Sequence, residues 1–348
     1  MDQKKGNKTF LLFLLMMGVL MLILAVVDIY TGTTRISISE VTQALLHPGP
    51  VQDQYSTILY RFRLPRTMTA ILAGIALSVS GLLMQTTFRN PLAGPYVLGI
   101  SAGASLGVAI LVLGFSSFFV FSAGTLLANS SIALAAILGA ISVLLLIMAV
   151  SMKVRDIMTI LILGIMFGSA VTAVVSVLQY FSSESMLKVF VIWTMGSLAN
   201  VTGLQIWILT ALVATGLLLT SLLVKDLNIL LQGEDYARSL GMRIRHTRLL
   251  IFLITGILAG SATAFCGPIG FVGVVVPHIV RVMLHTSNIR KVFPATILTG
   301  ASLLLLGDIL SHLPGKQGVL PINSVTAILG IPVIIWMILQ RRKLSSLM

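Results

Sequence analysis

The histidine, cysteine and acidic residues are the side chains of this sequence that could catalyse a reaction or bind a metal, and they are widely scattered. His278 has no second His, Cys or carboxylate at ligand spacing, and His47, His246 and His285 stand in predicted loops. Because a metal site needs several such ligands together, His278 is expected to make a structural polar contact. Cys266 lies in an apolar stretch and is expected to be a small packed residue. We therefore expect no catalytic residue, no metal site and no cofactor bound by this chain.

The Gly315-Lys316 pair does not form a nucleotide-binding loop. Gln317 follows the lysine where a Walker sequence has Ser or Thr, and no glycine stands at the required spacing upstream. If the chain pumps a solute, the energy is expected to enter through a partner.

Acidic residues are rare inside the apolar stretches. Asp308 is the one acid clearly within such a stretch, near its predicted outer end, whereas Asp28 and Asp156 lie at predicted interfaces. Acids within a membrane mark proton and ion relays, so this scarcity argues against an ion-coupled transporter.

The elements that must position these residues are membrane helices. Only 9% of the 348 residues are charged and 57% are hydrophobic, whereas a soluble domain has roughly 25% charged residues. Continuous apolar runs of about 20 residues, the length that crosses a bilayer as helix, recur along the chain. We predict an all-α, polytopic membrane protein with one domain, 1–348, and about ten spans: 10–29, 64–85, 93–113, 131–151, 157–180, 204–224, 249–265, 268–284, 293–312 and 321–339.

The N-terminal run resembles a secretory signal, because Lys4, Lys5 and Lys8 precede an apolar stretch from Phe10. The stretch is long for a signal, and no small-x-small cleavage site follows before Asp28. We interpret it as a retained first membrane helix.

Basic residues set the predicted orientation. The net charge of +13 lies in short clusters between apolar runs, which is the positive-inside pattern rather than a nucleic-acid surface. With both termini in the cytoplasm, the outer side keeps only Arg35, Arg61, Arg63, Arg66, Lys188 and Lys316. Three of these arginines fall within six residues, 61–66, against the general trend. The presence of this cluster on the outer side therefore needs an explanation other than membrane topology.

The longest predicted cytoplasmic connection, 226–248, could bind a soluble partner. Its central part, 232–241, has acids at the front and a base behind, with Glu234 and Arg238 spaced four apart, which favours a short helix. Gly241 is expected to end it. Such a helix suits a groove on a soluble subunit; the alternative is an interfacial helix that merely anchors the loop.

Three stretches of the sequence carry a resemblance to a known family. They are RLPRTMTAILAGIALSVSGLLMQTTFRNPLAGPYVLGISAGASLG at 63–107, LLQGEDYARSLGM at 230–242, and GPIGFVGVVVPHIVR at 267–281, continued at 301–310 and 320–339. They resemble permeases of binding-protein-dependent ABC importers for iron chelates, haem and cobalamin. The resemblance implies the ten-helix type II importer permease fold, a permease dimer, an outer substrate-binding protein, and two inner ATP-binding subunits that use ATP and magnesium.

The resemblance also implies roles for particular residues. Arg63 and Arg66 match outer docking arginines, for which the alternative is snorkelling at the interface. Asn90 and Leu92 match a cytoplasmic gate, for which the alternative is a plain turn between helices. The residues that match the ATPase-coupling helix are Gly233, Glu234, Ala237, Arg238 and Gly241. A family signature near the inner face comprises Pro277, His278 and Arg281.

One position departs from the family pattern. The family commonly carries another docking arginine four residues after an Asp, but His312 follows Asp308 at that spacing here. We hypothesise that docking depends partly on protonated His312, or that Lys316 or Arg61 substitutes.

The leading prediction is therefore a permease subunit, as a homodimer or with a related permease, in the bacterial cytoplasmic (inner) membrane. Iron–siderophore complexes are the favoured cargo, ahead of haem and cobalamin. The alternatives are an ion-coupled secondary transporter of a small metabolite, and a membrane enzyme, which would need clustered histidines and acids at one membrane face.

Overall fold

The computed structural model describes residues 2–32, 34, 37, 39–42, 54–114, 126–154, 156–201, 203–313 and 318–345, and this part of the chain has no strand. Arg35, His47 and Lys316 lie outside these residues. The helices are α1 (Asp2–Tyr30), α2 (Gln54–Ile58), α3 (Leu64–Thr87), α4 (Ile100–Ala109), α5 (Leu126–Ser151), α6 (Ile157–Tyr180), α7 (Glu184–Thr194), α8 (Leu204–Leu222), α9 (Val224–Leu231), α10 (Glu234–Ser239), α11 (Ile244–Cys266), α12 (Val272–Leu284), α13 (Ile289–Ser311) and α14 (Ile322–Ser345).

The prediction of an all-α polytopic membrane protein is confirmed. Eight helices of the described chain are long and apolar enough to cross a bilayer, and two shorter apolar helices, Ile100–Gly114 and Val272–Leu284, complete the set. Each of the ten predicted spans corresponds to one of these helices.

The two shorter helices begin later than predicted because irregular backbone precedes them. Gly99 has φ +70° directly before α4, and Phe271 has φ +67° directly before α12. Tyr96, in a 3₁₀ turn ahead of α4, donates its hydroxyl to the Ile269 carbonyl at 2.9 Å. This bond joins the two irregular segments. Helix α7 was not predicted, since its eleven residues are too few to cross a membrane.

Helix α3 is the centre of the bundle and packs against α13, α11, α12 and α1. Small residues allow its close approaches: a Cβ at Gly81 would overlap the Gly273 backbone, and one at Gly74 would overlap the Gly300 carbonyl. In α4, a Cβ at Gly103 would likewise overlap the Gly139 carbonyl of α5. Such packing is typical of helices associating in lipid.

Candidate functional site

Arg66 lies at the centre of a buried charge cluster at the predicted outer end of the bundle. Its side chain, on the first turn of α3, is 7% exposed. The Nε atom lies 2.9 Å from Asp308 Oδ2 of α13, and Nη2 lies 3.5 Å from Asp28 Oδ1 of α1. Nη2 also donates to the carbonyls of Asp28 at 2.8 Å and Thr31 at 2.9 Å. One guanidinium therefore joins α1, α3 and α13.

The two carboxylates of this cluster are held by further donors. Thr67 Oγ1 donates to Asp28 Oδ2 at 2.5 Å, and Ser311 Oγ lies 3.3 Å from Asp308 Oδ1. Two acids thus share one arginine in a buried place, where removal of the cation leaves both without a charge partner.

His312 completes the cluster as a neutral hydrogen-bond acceptor. Its Nε2 lies 2.9 Å from Arg66 Nη1. Because a guanidinium group can only donate hydrogen bonds, Nε2 of His312 must be the acceptor. Its Nδ1 lies 2.9 Å from the Asp308 carbonyl and must donate. Burial lowers the pKa of His312 from its ordinary 6.5. A protonated, docking His312 would have to give up its bond with Arg66.

We expect the stability of the protein to fall as the pH drops through about 6.5, since the unfolded chain binds a proton at His312 more readily than the folded chain. His312→Gln keeps an acceptor near the Nε2 position but does not titrate. Its thermal unfolding midpoint should therefore decrease less between pH 8 and pH 5.5 than that of the wild type. His246→Gln, at an exposed position, is the control. Equal pH dependence in all three proteins would contradict this assignment of the neutral form.

Arg63 caps the end of α1. Nη1 donates to the carbonyls of Ile29 at 2.9 Å and Tyr30 at 3.2 Å, and Nη2 donates to the Thr34 carbonyl at 2.7 Å. The cation thus satisfies carbonyls at a helix C-terminus, where positive charge is favoured. Arg61 is exposed.

A cavity of about 350 Å³ connects the cluster with the outer loops. Arg66, Asp308 and His312 line one side of it, and 195–200 and 319–322 line the other. Arg66 can thus be approached through this cavity, although it does not project freely. The docking roles of Arg63, Arg66 and His312 stay predictions.

The predicted coupling segment contains a short helix, α10, that is tied to a membrane helix. Gly233 has φ +118° ahead of it and Gly241 has φ +80° behind it, conformations that suit glycine. Glu234 Oε1 accepts from Arg248 Nη2 of α11 at 2.7 Å, and the Arg248 side chain is only 6% exposed. Ala237 is buried, whereas Arg238 is 58% exposed and lies 3.5 Å from Glu234. The main partner of Glu234 is therefore Arg248, which sequence spacing did not identify.

Arg248 also acts on the start of α6. Asp156 caps this helix by accepting from Thr159 Oγ1 at 2.7 Å and Thr159 N at 2.8 Å. These bonds, and the smaller effect of the Arg248 charge, lower the pKa of Asp156 from its ordinary 3.8. Arg248 is thus near acidic groups of both α10 and α6.

The segment proposed as a gate is a tight turn beside the coupling segment. Asn90 Oδ1 accepts from Leu92 N at 3.0 Å, and the Leu92 side chain is exposed. Arg89 adopts φ +48°, and its guanidinium lies over the Cα of Gly233. An Asx turn accounts for Asn90, so the gate stays a prediction.

The inner-face signature holds α12 against α3. Arg281 Nη1 donates to Gln85 Oε1 at 2.6 Å, and Gln85 Nε2 donates to the Val274 carbonyl at 2.9 Å. Pro277 is buried within α12 and His278 is half-buried. Among the described residues, no three His, Cys, Asp or Glu side chains are grouped so that they could hold a metal ion.

A cavity of about 810 Å³ lies between α4, α6 and α7. Its polar lining consists of hydroxyl and amide groups, from Ser101, Ser105, Ser169, Thr172, Ser176, Gln179, Thr194 and Tyr96. No acidic or basic residue and no His, Cys or Met is among the described residues that line it. Residues of α4, α6 and α7, and of the turn ahead of α4, form this lining. We call it the α6 cavity.

Comparison with known proteins gives consistent matches over nearly the whole chain. Residues 20–340 match the FecCD transport family. The chain is 33% identical to the hemin transport system permease HmuU of Yersinia pestis, over 95% of this chain and 97% of that protein. It is 34% identical to the vitamin B12 import system permease BtuC of Escherichia coli, over 95% of this chain and 96% of that protein. A metal-chelate type ABC transporter solved in an inward-facing conformation superimposes with a TM-score of 0.79 at 28% identity, covering 94% of this chain and 98% of that one.

Proposed function

The chain belongs to the FecCD transport family and is an ABC importer permease, and from this premise we propose that it carries an iron–siderophore complex. The complex is delivered by an outer substrate-binding protein. Two ATP-binding subunits, which use ATP and magnesium, act on α10 from the cytoplasm. A second permease, identical or related, completes the pathway.

The α6 cavity is the observation that carries the cargo proposal. Its volume of about 810 Å³ is within the range that holds a bulky organic ligand. A bare metal ion would need charged or otherwise strong ligands, which the described lining does not offer. Ser169, Thr172 and Ser176 donate to carbonyls of their own helix, so their hydroxyl oxygens can accept from N–H or O–H groups of the chelate. The amide of Gln179 can also donate to the chelate's oxygens.

Haem is less favoured because its iron is held by His, Cys, Met or Tyr. Tyr96 is the one such residue of the described lining, and its hydroxyl already donates to the Ile269 carbonyl. Cobalamin is the second candidate, since its amides would suit the same hydroxyl lining. An ion-coupled secondary transporter is not favoured, because the similar solved structure is an ABC transporter and the buried acids Asp28 and Asp308 are both next to Arg66.

Reconstitution with the partner ATPase and binding protein in proteoliposomes tests the proposal. Uptake of a ferric hydroxamate, haemin and cyanocobalamin would be measured separately. Each measurement would be made once with ATP and once with ADP on the side of the membrane that the ATPase faces. We expect ATP-dependent uptake of the ferric hydroxamate, insensitive to an ionophore. Uptake of haemin or cobalamin alone would overturn the cargo, and ionophore-sensitive uptake without ATP would overturn the mechanism.

A further inference from the structure

We propose that a basic cavity between the ends of α5 and α11 binds the phosphate headgroup of an anionic phospholipid. The cavity has a volume of about 590 Å³. Its lining contains five cations and no acid among the described residues: Lys153, Val154, Arg238, Met242, Arg243, Ile244, Arg245 and Arg248. We call it the basic cavity.

Three of the five cations have no internal counter-charge. Arg238 and Arg248 are paired with acids of α10. Lys153, Arg243 and Arg245 are exposed, and none of them has an ion pair among the described residues. Three like charges around one concave surface create a positive potential that attracts an anion. The N-terminus of α11 adds to it, because Arg243 at the N-cap makes no side-chain capping bond.

The hydropathy of α5 and α11 places the basic cavity at the level of the membrane surface. The apolar span of α5 ends at Ser151, two residues before Lys153, and that of α11 begins at Ile244, between Arg243 and Arg245. The charge distribution of the sequence assigns this end of the bundle to the cytoplasm. Anionic lipids in that leaflet are attracted to basic clusters next to membrane helices.

Exposed apolar side chains stand on the membrane side of these cations in the sequence of the two spans. Met152 of the turn after α5 is 47% exposed, and Leu250 and Leu253 of α11 are 46% and 41% exposed. A phosphate diester in the cavity would place its acyl chains along this surface. A free phosphate ion would use the cations but not the apolar side chains, so the arrangement favours a phospholipid.

Native mass spectrometry of the purified full chain, titrated with phosphatidylglycerol from neutral detergent, tests the proposal. The test variant, K153Q/R243Q/R245Q, neutralises the three cations of the basic cavity that have no ion pair among the described residues. The control, K225Q/R290Q/K291Q, removes the same charge at this end of the bundle. Lys225 and Arg290 line another cavity there, and Lys291 follows Arg290 in sequence. We expect one tight phosphatidylglycerol site per chain, weakened roughly a hundredfold in the first variant, at about fivefold per basic residue, and retained in the control. Phosphatidylcholine with the same acyl chains should bind far more weakly.

Three results would overturn the assignment. Equal loss in both triple variants would indicate general attraction without a site. Displacement of phosphatidylglycerol by millimolar inorganic phosphate would indicate an anion site that does not use the acyl chains. Displacement by the partner ATPase, with reduced ATPase affinity in K153Q/R243Q/R245Q, would indicate a protein interface.

Discussion

Charge reversal at Glu234 is expected to separate ATP hydrolysis from transport. In Glu234→Arg, the buried guanidinium of Arg248 loses its 2.7 Å partner and faces a like charge. Breaking a buried ion pair costs about 3–5 kcal/mol, and the lower end applies because the Glu234 side chain is 25% exposed. Helix α10 is then no longer held against α11. We expect the number of cargo molecules carried per ATP hydrolysed to fall about tenfold or more, while basal ATPase activity persists in the reconstituted complex.

The reversed pair provides the decisive comparison. Glu234→Arg combined with Arg248→Glu restores opposite charges between the same two positions and should recover much of the transport per ATP. Asp235→Arg, at a fully exposed neighbouring side chain that pairs with Arg238 alone among the described residues, should have a much smaller effect. If transport and ATPase activity fall in proportion in Glu234→Arg, and the double variant does not recover, the ion pair does not transmit motion.

Removal of Arg66 is expected to have the largest effect on stability. Arg66→Met leaves Asp28 and Asp308 buried side by side without a cation. The expected loss is about 3–5 kcal/mol in the free energy of unfolding, measured as a lower thermal midpoint in detergent. Asp28→Asn and Asp308→Asn, added to Arg66→Met, remove the uncompensated charge and should recover most of the midpoint. Arg61→Ala, at an exposed position, should leave the midpoint unchanged.

The same variants separate a structural role of Arg66 from docking. The stabilised triple variant lacks the guanidinium but retains the fold, so its affinity for the substrate-binding protein reports on docking alone. Reduced affinity would support the predicted docking role, whereas wild-type affinity would show that Arg66 only joins α1, α3 and α13. If Arg66→Met is as stable as the wild type, the buried cluster is not a stabilising element.

The Arg66 cluster lies on the predicted outer side of the membrane, and the Glu234–Arg248 pair lies on the predicted cytoplasmic side. Both connect surface segments to membrane helices. Docking at the outer cavity would act on α1, α3 and α13 together, since Arg66 joins them. Motion of α10 would act on α11 through the ion pair of Glu234 with Arg248.

The sequence alone determined the membrane-spanning helices and the general class of the protein. Hydropathy is a local property, and a run of about 20 apolar residues has to be a membrane helix wherever it later packs. For the same reason the helix α10 was predictable, because acids at its start, Arg238 near its end and Gly241 behind it are neighbours in sequence. The stretch at 63–107 and the other family stretches indicated the permease class, which the comparisons confirmed.

Tertiary structure alone decided which charges meet. His312 is 246 positions from Arg66, and Arg248 is 14 positions from Glu234, so no helical spacing relates them. Their contacts depend on which faces of α3, α13 and α11 pack together, and the close contact of Gly74 with Gly300 sets the faces of α3 and α13. The late starts of α4 and α12 have the same origin, because Tyr96 binds the Ile269 carbonyl of a distant segment. Local apolarity determines where the membrane helices are. Only the packing of those helices buries Arg66, a predicted surface arginine, in an ion cluster with Asp28 and Asp308.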